Sequence, residues 1–168
     1  MADTIVTGKE ANSRGPVLVA VDFAPDSEAA VVWGAIHAAC IKVPLVILHV
    51  IHDPAEAPGF YRKEEQDWSK PMADIAEQMM ADFMTTMRSK HSELEPLTDA
   101  KTVLVSGLPP SRIIEIGKLE DAQLIVVGSR GNTGLPHVLL GSVAERVAQT
   151  SAVPVIIIKN RQQESDQI

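Results

Sequence analysis

AQLIVVGSRGNTGLPHVLLGSVAERVAQTSAVPVIIIK, residues 122–159, decides the fold. AQLIVVGS (122–129) is an unbroken apolar run, SVAERVAQTS (142–151) reads as a helix, and VPVIIIK (153–159) is a second apolar run. Two strands without polar alternation, joined through a helix, indicate a parallel sheet covered on both faces. Between them, GSRGNTGLPHVLLGS (128–142) spends four glycines and two serines on one connection. A generous surface turn and a cradle for phosphate both explain such a loop.

Working upstream, the same alternation recurs. PVLVAVD (16–22) is a short strand ending on a carboxylate, and PLVILHVI (44–51) is a second apolar run. Asp26 or Ser27 is expected to cap a helix running to about Ile41. The small residues of that helix, with Val31 and Ile36, are expected to pack on the sheet. From Ser69 to Glu93, Ile75, Met79, Met80, Phe83, Met84 and Met87 fall on one helical face, read as core facing the sheet. KTVLVSG (101–107) is a strand, and PPSRIIEIGKLE (109–120) a helix with prolines where a first turn tolerates them. The order β-α-β-α-β-α-β-α-β predicts one doubly covered α/β domain over 15–160. A flexible arm (1–14) and tail (161–168) flank it. DPAEAPGFYRKEEQDW (53–68), with two prolines, is long for a loop of a compact domain.

Composition narrows the function. A net charge of −7 with no basic run argues against nucleic acid as a partner. No apolar stretch approaches the ~20 residues of a membrane span, and the first fifteen residues lack the apolar centre of a signal peptide. A cytoplasmic location without membrane contact is expected. Cys40 is the sole cysteine, so neither an intrachain disulfide nor a cysteine metal cluster is available, and a buried, inert thiol is expected. Of the histidines, His49 and His52 would point to opposite faces of a strand, and His37, His91 and His137 fall on separate elements. No metal site is expected. No G-x-S-x-G elbow marks a hydrolase nucleophile, and no Ser-His-Asp set converges on one strand end.

In open α/β sheets, ligands bind beyond the carboxyl ends of the strands. The fourth strand end is the richest here. Glycines let several N–H groups approach an anion and adopt positive φ, and a helix N-terminus adds free donors and partial positive charge. Arg130 and the Gly141-Ser142 helix start complete such a cradle; the Ser142 hydroxyl either caps the helix or donates to phosphate. There is no G-x-x-x-x-G-K-[ST], and no G-x-G-x-x-G after the first strand. A P-loop NTPase and an ordinary dinucleotide enzyme are thereby excluded.

Gly128-x2-Gly131-x9-Gly141-Ser142, together with VAVDFAPDSEAAVVWGA, LVILHVI and GSVAERVAQTSAVPVIIIK, resembles the ATP-binding type of the universal stress protein family. The resemblance covers about residues 15–160. It implies a Rossmann-like five-stranded parallel sheet of order 3-2-1-4-5, with helices on both faces and a homodimer through the last strand. It also implies an adenine nucleotide, ATP or AMP/ADP, with or without Mg²⁺. Ala20, Val21 and Val50 would hold the adenine, with Asp22 on the ribose side. Val127 and Gly128 would close over the ribose, while Arg130, Gly131, Gly141, Ser142 and Val143 surround the phosphates. Ala24 departs from the serine of many relatives. The implied role is a nucleotide-responsive regulator acting through a protein partner; slow ATP hydrolysis or nucleotidyl transfer using Asp22 is the alternative.

Overall fold

The computed structural model describes residues 14–52, 72–131 and 140–160. The connection 53–68, most of the arm, the tail, Gly134 and His137 lie outside the described residues. The elements run β1 (Val17–Ala20), α1 (Pro25–Ile41), β2 (Leu45–Ile51), α2 (Met72–Lys90), α3 (Glu95–Thr98), β3 (Lys101–Ser106), α4 (Pro109–Leu119), β4 (Leu124–Gly128), α5 (Ser142–Thr150) and β5 (Val155–Ile158). All pairings are parallel, and the sheet order is β3-β2-β1-β4-β5.

The continuous apolar runs explain themselves in cross-section. Along β1, Val17 and Val19 join a core with Ala30, Val31, Ala35 and Ala38 of α1 and Met80, Met84 and Met87 of α2. Leu18 and Ala20 point the other way, to Ile113 and Ile116 of α4 and Ala144 and Val147 of α5. Each strand residue meets a helix whichever side it takes, so period-2 alternation has nothing to report. Gly34 lets α1 settle onto β1, since a Cβ there would lie 2.5 Å from Val19 Cγ2. The methionine stripe of α2 is core, with Ala76 as a further buried member.

Three local expectations are corrected, and one element is added. Helix α1 is capped by Ala24, which offers no side-chain hydrogen bond. Asp26 and Ser27 sit inside its first turn, buried, with their oxygens committed elsewhere. Ile36 is exposed and Cys40 is exposed, because the sheet takes only the Ala30–Val31–Gly34–Ala35–Ala38 stripe of that helix. The short α3, which places buried Leu97 against the first core, had no periodic signal in four residues.

Candidate functional site

The strand order reverses between β1 and β4, and a cavity of about 720 Å³ opens there, beyond the strand ends. That size lies within the roughly 300–1,000 Å³ typical of small-molecule sites. Every site residue named from the sequence lines it: Ala20, Val21 and Asp22 after β1, Val50 of β2, Val127 and Gly128 of β4, Arg130 and Gly131 beyond, and Gly141, Ser142 and Val143 at the start of α5. Segments more than a hundred residues apart meet because parallel strands put their carboxyl ends on one edge.

The turn after β1 is tightly built. Asp22 Oδ1 accepts from the Ala24 N–H at 3.2 Å and from Ser27 Oγ at 2.6 Å, while the Asp22 N–H donates to Ser27 Oγ at 3.0 Å. Ser27 thus fixes both the backbone and the carboxylate of Asp22, a role the sequence did not reveal. Phe23 follows at φ 65, a left-handed conformation that side chains other than glycine rarely adopt. Its ring is held against His49 (centroids 4.4 Å apart) and edge-on to Phe83 (5.4 Å).

His49 is 2% exposed, and its Nδ1 lies 2.8 Å from the Val21 carbonyl, which fixes the proton on Nδ1 in the neutral ring. Burial lowers its pKa below the ordinary 6.5, outweighing the Val21 bond and the Asp22 charge, which act upward. Val21 also donates its N–H to the Leu48 carbonyl at 2.8 Å, so both of its backbone polar groups are already committed to β2. His49 and His52 both line the cavity, His49 from within β2 and His52 from just beyond its end at Ile51. Among the described residues, no group of three or more histidine, cysteine, aspartate or glutamate side chains could hold a metal ion.

At the other end, Gly141 is the N-cap of α5 and Ser142 is its first residue, so the Ser142 hydroxyl does not cap the helix. The N–H groups of Ser142, Val143 and Ala144 have no intrahelical acceptors, and all three residues line the cavity. Arg130 Nε lies 3.5 Å from Asp26 Oδ2, while its Nη2 is buried with no hydrogen-bond partner among the described residues. Arg146, one turn into α5, adds a second cationic side chain to the lining. Leu108, Pro109, Pro110 and Ile113 add an apolar wall. An orphaned guanidinium nitrogen, open helix donors and an apolar slot suit a ligand with one anionic and one flat apolar end.

The glycines divide differently from expectation. Gly128, Gly131 and Gly141 all have ordinary φ; among the described glycines only Gly107 is positive, at φ 141. A Cβ on Gly128 would lie 2.9 Å from Asp26 Cβ, so Gly128 is small because β4 abuts α1. Gly131 faces the Asp22 carboxylate, and a Cβ on Gly141 would come 3.3 Å from the Ser129 carbonyl oxygen.

The sequence profile of the Universal stress protein family matches residues 13–159. Universal stress protein Rv2623 of Mycobacterium tuberculosis is 34% identical over 148 residues, 87% of this chain and 46% of that protein. The chain therefore spans about half the length of the mycobacterial relatives it matches. Among solved structures, hypothetical protein MJ0577 is 27% identical at a TM-score of 0.60, with 89% of this chain and 99% of that one covered. A universal stress protein in complex with cAMP is 26% identical at a TM-score of 0.55, with 86% and 95% covered.

Proposed function

The chain belongs to the universal stress protein family, and on that premise we propose that its strand-end cavity binds an adenine nucleotide, ATP foremost. The observation that carries this is the Nη2 of Arg130, buried and without a hydrogen-bond partner among the described residues, beside the open N-terminus of α5. Those donors suit the phosphates, and Leu108, Pro109 and Ile113 suit a face of the adenine. The structural neighbour solved with cAMP supports the ligand class. Among the described lining residues Asp22 is the one carboxylate, which makes it the side chain to meet a Mg²⁺ ion accompanying the phosphates.

In this reading the chain is a nucleotide-responsive regulator of the stress response in the cytoplasm, acting through a protein partner and pairing with a second copy along β5. Among the described residues β5 pairs with β4 alone, and its VIII sequence carries no charge to discourage edge pairing. No helix of the described residues is long and apolar enough to cross a membrane. Equilibrium dialysis of purified protein against ATP and AMP tests the core of the reading. Saturable binding supports it, and no binding at millimolar nucleotide overturns it.

Slow hydrolysis or nucleotidyl transfer through Asp22 is the second reading, favoured by the approach of that carboxylate to Gly131 in the phosphate loop. ADP release by wild type and by Asp22→Asn separates it from binding alone; equal background rates end it.

A further inference from the structure

Behind the cavity wall, and not lining it, Asp26 is 3% exposed with both carboxylate oxygens engaged. Oδ2 accepts from Ser129 Oγ at 2.7 Å and from the Arg130 N–H at 3.0 Å, and Oδ1 accepts from the Asn160 N–H at 3.3 Å. The Arg130 guanidinium leans on the same group, with Nε 3.5 Å from Oδ2. One carboxylate in the first turn of α1 thus holds the exits of both β4 and β5. The chain of bonds continues. Ser129 donates its N–H to the Ile158 carbonyl at 2.7 Å, and its own carbonyl accepts the Gly141 N–H at 2.7 Å. Helix α5 therefore hangs from Ser129, and Ser129 hangs from Asp26.

We propose that Asp26 is the positioning residue for the phosphate end of the nucleotide, an inference that rests on the adenine-nucleotide reading above. It touches no ligand. It sets where the α5 donors and the Arg130 guanidinium stand before the anion arrives, and anion recognition gains most when donors are fixed beforehand. Its charge-assisted bonds are of the stronger kind. The adenine end is built from β1, β2 and the Leu108–Pro110 wall, none of which hangs from Asp26. Its influence is accordingly confined to ligands that carry phosphate.

Titration calorimetry with ATP, AMP and adenosine tests this in wild type and Asp26→Asn, each checked by circular dichroism. Asparagine keeps the volume and one acceptor but places an amide against the Asn160 N–H and removes the ion pair with Arg130. The expected result is roughly tenfold weaker ATP and AMP binding, with adenosine affinity unchanged. An equal loss for adenosine, or no loss for AMP, overturns the proposal. Ser129→Ala deletes only the Oγ bond to Oδ2 and is expected to show a smaller, equally selective loss. Should Asp26→Asn fail to fold, wild-type AMP affinity in Ser129→Ala overturns the proposal. Absence of ATP and AMP binding in wild type overturns the nucleotide reading and this inference with it; wild-type binding with an unselective Asp26→Asn overturns this inference alone.

Discussion

The carboxylate of Asp22 and the backbone of Gly131 are so close that a Cβ on the glycine would lie 2.7 Å from Asp22 Oδ2. The two residues are over a hundred positions apart, brought together by the parallel pairing of β1 with β4 and by the bonds of Asp26 to Ser129 and Arg130. Their approach is what makes the loop after β4 and the turn after β1 into one wall.

Gly131→Val should therefore lose nucleotide binding, because its branches push either the carboxylate or the loop into the phosphate path. Gly131 is exposed and at the margin of the packed core, so the fold should survive. At least about tenfold weaker ATP binding in dialysis is expected, with the melting temperature held within a few degrees. Retained affinity would count against the proposed pose.

Ala24 is the N-cap of α1 with φ −78 and ψ 163, the extended conformation a capping serine adopts. Ala24→Ser is expected to add a cap worth ~1 kcal/mol, raising the melting temperature by about 2–4 °C for a domain of this size. A thermal melt followed at 222 nm, a wavelength conventional for helix and roughly the helical minimum, reads it directly. An unchanged or lower melting temperature would show that the buried site rejects the hydroxyl.

His49 makes stability depend on pH in a stated direction. Burial lowers its folded pKa from 6.5, so on the acid side the unfolded chain binds the extra proton. Stability then falls as pH drops through 6.5 towards the depressed folded value, and this contribution is level above 6.5. His49→Asn keeps a donor for the Val21 carbonyl but has nothing to titrate. Urea unfolding from about pH 7.5 to about pH 5 should show a shallower decline in the variant; parallel curves would exonerate His49.

The proposed dimer has a simple test. Residues 154 and 158 turn their carbonyls to β4, so Val155 and Ile157 present N–H and C=O on the outer edge of β5. Wild type should sediment as a dimer, and Ile157→Pro, which removes an outward donor, as a folded monomer. A wild-type monomer at micromolar concentration would refute pairing along β5.

Much of this was legible in the sequence, for a physical reason. Runs such as LVILHVI have one meaning when helices alternate with them, and the Gly-Ser spacing at 128–142 has one natural place in a parallel sheet. What stayed illegible lies in side chains whose partners are distant. Asp26 and Ser27 read as helix caps because capping is the local use of such residues, whereas their oxygens serve Ser129 and Asp22. Gly128 read as room for a ligand, but its neighbour is Asp26. Cys40 sits in an apolar pattern, yet the sheet covers only one stripe of α1.

The central place of β1 carries a consequence for assembly. VLVA is buried at every position, and it is sandwiched between β2 and β4. β2 follows it closely in the chain, but β4 begins only at residue 124. A nascent chain thus carries β1 with one side unpaired through the synthesis of three helices and β3, and a chain arrested before β4 offers that side to another chain. The step that protects the molecule from aggregation is the closure of β4 onto β1, the same step that first brings Gly131 to Asp22.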